Sequence, residues 1–130
     1  MSSQARGEPP APELQALESI TEAIAAGAGL PEIVRAAARA LDASIVLIDR
    51  TSAVLAVAAR SPAEERALLR DGADVERIEL RVAEATVGHL RLRSRRADGA
   101  GPSPVLLRLV TTLIATEVER VRGPERASQE

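Results

Sequence analysis

Residues 75 to 93 read VERIELRVAEATVGHLRLR, and apolar and charged side chains alternate through most of this stretch. A period of two is the mark of a strand with one buried and one wet face, so the segment predicts an antiparallel hairpin. With Glu84, Ala85 and Thr86 as the turn, Leu80 would meet Leu90 and Ile78 would meet Leu92 on the buried face. Glu79 would then face Arg91 on the outer one, and His89 would lie opposite Arg81 as a solvent-exposed spacer. An opposite-charge pair across strands contributes about 0.2 to 1 kcal/mol, and slipping by one residue would bury the arginines.

Upstream, Ser44 to Asp49 (SIVLID) and Ala53 to Ala59 are apolar runs too short for core helices, separated by Arg50-Thr51-Ser52. They predict a second hairpin, with both strands central because neither alternates. Ser61-Pro62-Ala63-Glu64 has the spacing of a capping box, and ERALLR then fits a short helix ending near Asp71-Gly72. Before the strands, Leu30, Ile33, Val34, Ala37, Ala38 and Leu41 recur at three- and four-residue steps, the period of an amphipathic helix. Another helix is expected over 13 to 26, with Leu14, Leu17, Ile20 and Ile24 on one side and a break at Gly27-Ala28-Gly29. Residues 1 to 12, with Pro9, Pro10 and Pro12, read as a disordered lead-in.

Downstream, a loop over Ser94 to Pro102 leads to SPVLLRLVTTLIATEVERVR at 103 to 122. Ser103 suits an N-cap and Pro104 the first helical turn. Leu106, Leu109, Val110 and Leu113 follow one face of this helix, while Leu107, Ile114, Val118 and Val121 follow a neighbouring one. One face can cover a core, and the other then needs a partner. We therefore expect a homodimer whose interface draws on Leu106, Leu107, Val110, Leu113, Ile114, Val118 and Val121. Residues 123 to 130, opening with Gly123-Pro124, read as a linker-like tail.

The 130 residues fit one domain, 13 to 122, with a formal net charge of −2 that gives no global pull toward nucleic acid or anionic membrane. There is no cysteine and a single histidine, which excludes disulfides, thiolate metal sites and histidine clusters, so no metal or cofactor is expected. Without Phe, Tyr or Trp the usual platform for stacking a base or a flavin is missing. Neither a secretory signal nor a membrane-length apolar run is legible, and the expected location is the cytoplasm.

Catalytic patterns are missing as well. Asp42 and Asp49 flank a strand that would hold them about 20 Å apart, too far for a carboxylate pair. Gly27-Ala28-Gly29 precedes a helix instead of following a strand, unlike a dinucleotide loop, and no GxSxG elbow occurs. The chain is not expected to be an enzyme. Arg77, Arg81, His89, Arg91 and Arg93 gather on the outer hairpin face, where a solvated surface is the plain reading and a patch for an anion or acidic partner the sharper one.

The order helix-helix-strand-strand-helix-strand-strand-helix resembles a small GAF domain, an α/β (α+β) antiparallel sheet flanked by helices with the first and last packed together. More narrowly, the chain resembles the N-terminal GAF-like domain of PucR/CdaR-type transcriptional regulators. The likeness rests on LDASIVLIDRTSAVLAVA at 41 to 58, VGHLRL at 87 to 92 and LIATEVERVR at 113 to 122. It implies a non-catalytic sensory and dimerisation domain, with a small-molecule effector or partner acting through helix packing, and DNA contacted only through a helix-turn-helix domain absent from this sequence. Two departures stand out: Ser52 occupies the usual glycine of the turn, and residues 60 to 74 leave little chain to enclose an effector. The competing expectation is an assembly module of roadblock or longin type, with no small-molecule ligand.

Overall fold

The computed structural model describes residues 12 to 129 apart from 71 and 73. The lead-in expected at 1 to 12 therefore lies almost wholly outside the described residues. Within them, helices α1 (Pro12–Ala25) and α2 (Leu30–Leu41) precede strands β1 (Ala43–Asp49) and β2 (Val54–Ala58). Helix α3 (Pro62–Arg70), strands β3 (Glu76–Val82) and β4 (Ala85–Ser94), and helix α4 (Pro104–Gln129) follow. The strands form one antiparallel sheet in the order β2-β1-β4-β3, an α+β arrangement with helices on both faces.

Side-chain parity divides the sheet. Ala43, Ile45 and Leu47 of β1, Ala56 and Ala58 of β2, Leu80 of β3, and Leu90 and Leu92 of β4 point to one side and join Ile33, Val34, Val110 and Ile114 in the main core. Helix α2 covers β1 and β2, α4 covers β3 and β4, and α1 lies over α2 and also meets α4. The buried methyls of Ala36, Ala37 and Ala38 leave little bulk between α2 and its neighbours. On the opposite side Val46 and Ile48 pack only against Leu68 of α3 and a fringe of half-buried residues.

The first hairpin turns where the sequence predicts. Asp49 Oδ1 accepts hydrogen bonds from Thr51 N at 2.8 Å, Thr51 Oγ1 at 2.7 Å and Ala53 N at 3.0 Å, which fixes the loop. Ser52 sits at φ 72°, the left-handed position that closes a three-residue hairpin loop. The strand after it is not central, however. β2 is an edge strand, with Val54 exposed and an irregularity beside Leu47 and Ile48. A run without alternation signals apolar surroundings, but it does not reveal which strand lies next door. β4 takes the place beside β1 and leaves β2 outermost.

The second hairpin departs from its expected register. Ile78 faces Leu90, Glu79 faces His89 and Leu80 faces Gly88. The reversal occurs at Ala83 and Glu84, since Val82 already faces Ala85, and Ala83 adopts φ 57° without the glycine that usually advertises such a turn. Leu80 pairs with Gly88 and Arg81 with Thr86, so Val87 is a bulged extra residue. Because the slip in the body of the hairpin is two residues, Ile78, Leu80, Leu90 and Leu92 keep their inward face. Gly88 is demanded by packing: a Cβ there would stand 2.3 Å from the Ile48 carbonyl oxygen.

Candidate functional site

Helix α4 begins as expected, with the Ser103 hydroxyl accepting the Leu106 N–H at 3.1 Å. It continues through Gly123 and Pro124 to Gln129, so the stretch read as a linker is helical, and nothing after Pro124 is a strong helix breaker. The two apolar faces expected of it are not kept apart, because the buried stripe draws on both. Leu106, Val110, Ile114 and Val118 are buried inside the chain, with Val110 and Ile114 at 0 % exposure. These four are core residues covering the sheet, and the interface expected of them is corrected accordingly: their stripe is the one the sheet needs. Leu107 and Leu113 are half-buried at its border, and Val121 is exposed. The apolar side chains turned outward are instead Val105, 69 % exposed, and Leu109, 45 % exposed, followed on that side by Thr112 and Thr116. Val105 was not among the expected contacts, although its four-residue step to Leu109 was there to be read.

The arginine face is also less open than expected. Arg91 stands opposite Arg77 rather than Glu79, a like-charge pair across the strands. Its guanidinium turns away and donates through Nη1 to the carbonyls of Leu68 at 3.2 Å and Leu69 at 2.6 Å, satisfying the last turn of α3. Arg93 Nε donates to Asp74 Oδ2 at 2.8 Å, and Arg81 pairs with Glu79. His89 is no exposed spacer, because β4 has neighbours on both sides; it is 9 % exposed, between Ile48 and Glu79 in register. It borders a shallow depression of about 140 Å³ with Asp49, Arg50, Arg77, Glu79 and Thr86. Of the expected anion-binding set, the structure brings Arg77 and His89 to one hollow, while Arg91 and Arg93 hold α3 and the segment after it.

Sequence reading missed a polar cluster beneath α3. Ser44, fully buried on β1, donates through Oγ to Glu64 Oε1 at 2.6 Å and accepts from Arg95 Nε at 3.0 Å. Glu64 Oε1 also accepts the Arg60 N–H at 2.8 Å, and Oε2 accepts Arg60 Nη2 at 3.2 Å. The Ser61 hydroxyl accepts the Glu64 N–H at 3.1 Å, so the capping box is present, with its return bond going to residue 60 instead of 61. Burial works to raise the Glu64 pKa, but the hydrogen bonds from Ser44 and Arg60 outweigh it and hold the carboxyl at about 2. A lone serine in the run SIVLID was the available signal, since a buried hydroxyl needs a partner.

Chemically, this cluster fastens one element to another. Its side chains bond each other, and the hollow beside it, lined by Arg60, Ser61, Ala63, Glu64 and Arg93, is open. Among the described residues no three His, Asp or Glu side chains converge as metal ligands, and no helix is long and apolar enough to cross a membrane. A scan of family models, a search of curated proteins and a search of solved structures return no match.

Proposed function

We propose that the chain is a non-catalytic regulatory and dimerisation domain of a cytoplasmic bacterial transcriptional regulator, of the GAF-like kind described above. In this reading two copies pair through the outward row of α4, and a change in helix packing is passed to attached domains. The observation that carries it is the division of α4: one stripe is consumed by the sheet, and Val105 and Leu109 stand exposed on the outward side, ahead of Thr112 and Thr116. A long terminal helix packed on the core by one side is well placed to couple domain packing to a partner helix.

The structure favours a partner over an enclosed small molecule as the signal. The connector between β2 and β3, where an effector would need walls, is drawn onto the sheet, with Leu68 filling the space over Val46 and Ile48 and Glu64 bonded to Ser44. That same observation supports the second reading, an assembly scaffold without a small ligand. The two part on a panel of small molecules: the scaffold gives no thermal shift, whereas a shift would single out a sensory domain.

The test uses exposed positions, because substitution of buried Ile114 would unfold the chain and report nothing about pairing. Leu109→Arg and Val105→Glu should leave the circular dichroism spectrum and melting temperature nearly unchanged while converting a dimer to a monomer in sedimentation. A wild-type chain that stays monomeric at high micromolar concentration would overturn the proposal.

A further inference from the structure

The sheet ends in two edges of unlike chemistry. β3 carries Glu76, Arg77, Glu79 and Arg81, charges of both signs that discourage another strand from adding to it. β2 carries none, and from Ala53 to Ala59 that edge reads AVLAVAA. Beside it Arg35, Ala38 and Arg39 of α2 and Arg95 beyond β4 join Val57, Ala58 and Ala59 around an open groove of about 280 Å³. The groove is therefore formed by a helix and an uncharged sheet edge, with guanidinium groups along its rim.

The charges at this rim are placed by the fold. Arg95 is fixed by bonds from Nε to Ser44 Oγ at 3.0 Å and from Nη2 to the Ala58 carbonyl at 3.4 Å. Arg39 is exposed on α2, and Arg35 is paired with Glu32 one turn earlier. Three arginines thus line the groove, Arg35 balanced by Glu32 and Arg95 one hydroxyl away from Glu64, which leaves Arg39 as the least compensated charge. Every second backbone N–H and C=O of an edge strand points away from the sheet and is available to a newcomer.

We infer that the β2 edge receives an extended acidic segment of a partner protein as a fifth strand. Its backbone pairs with residues 54 to 57, short of the Ala58 carbonyl that Arg95 already holds, its apolar side chains continue the sheet, and its carboxylates meet Arg39, Arg35 and Arg95. Strand addition of this kind takes affinity from main-chain bonds and specificity from alternate side chains. A second copy of this chain is the poorer occupant, because its own β2 edge is uncharged and brings no carboxylate to these arginines. The surface is separate from the α4 row, so failure of dimerisation leaves it standing.

The probes are a synthetic octapeptide alternating glutamate and valine and its lysine-for-glutamate counterpart, each titrated against the intact chain by fluorescence anisotropy. The glutamate peptide should bind saturably, more weakly at high salt, and protect the amides of residues 54 to 57 from hydrogen exchange; the lysine peptide should not bind. Arg39→Glu, on an exposed helix position, should weaken binding by about tenfold or more, and Arg81→Glu on the other edge should not. No saturable binding at millimolar peptide, protection on β3 in place of β2, or indifference to Arg39→Glu would each overturn the inference. Protection of β2 on concentrating the chain alone would assign the edge to a second copy and overturn it equally.

Discussion

The two faces of the sheet are built from alternate residues of the same strands. On one, Ile45, Leu47, Leu80 and Leu90 are sealed beneath α2 and α4 with α1 behind them. On the other, Ser44, Arg91 and Arg95 alternate with them and hold one short helix and its flanks by aimed hydrogen bonds, with Leu68 as its fully buried apolar anchor. Apolar burial is indifferent to direction and pH, whereas bonds to a carboxylate depend on both. The first face therefore supplies most of the stability, and the second supplies the part that conditions can change.

The largest effect expected is on the first face. Ile114→Arg places an unpaired guanidinium in a fully buried site and should cost about 4 kcal/mol or more, enough to abolish the cooperative thermal transition. Next comes the seam where both faces meet: Gly88→Ala sets a Cβ against the Ile48 carbonyl and should cost about 3 kcal/mol in chemical denaturation, since neither backbone can yield cheaply. If this variant is as stable as the parent, β1 and β4 are farther apart than described.

The second face is probed by Glu64→Gln, which keeps the side chain's shape and removes its charge. Glu64 has its pKa lowered from 4.5 to about 2, so its stabilising contribution is complete above pH 4.5 and is lost as pH falls toward 2. That difference corresponds to about 3 kcal/mol at neutral pH. Stability curves of parent and variant should differ most above pH 4.5 and converge near pH 2; parallel curves would mean the carboxylate is not held as described. The smallest effect belongs to neither face. Ser52→Gly relieves a left-handed residue in the first hairpin loop and should raise stability by about 0.5 to 1 kcal/mol, read as a small upward shift in melting temperature.

What the sequence made legible follows the same division. The α2 pattern is transparent because Ile33, Val34, Ala37 and Leu41 answer to one core at one period. The inward residues of the second hairpin are legible in its alternation, and its turn is not, because Ala83 takes a positive φ with no glycine to mark it. The edge position of β2 depends on where β4 pairs, a long-range choice that Val54 to Ala58 do not encode. At the candidate site, α4 announced surplus apolar surface, but which face would be consumed depended on its roll against β3 and β4. Ser44 and Glu64 were each visible twenty residues apart, and only the fold brought them together.

Helix α3 is pinned at its start by Glu64 and at its end by Arg91, and both pins are drawn from polar atoms. Acid removes the first of them. An element fastened in this way opens at a lower free energy than the three-helix side, so as the pH falls toward 2 it should peel off before the rest and bare Val46 and Ile48. Protonation of a single carboxylate should therefore be what loosens this cover, and in strong acid its amides are expected to exchange into deuterated solvent ahead of those of α2.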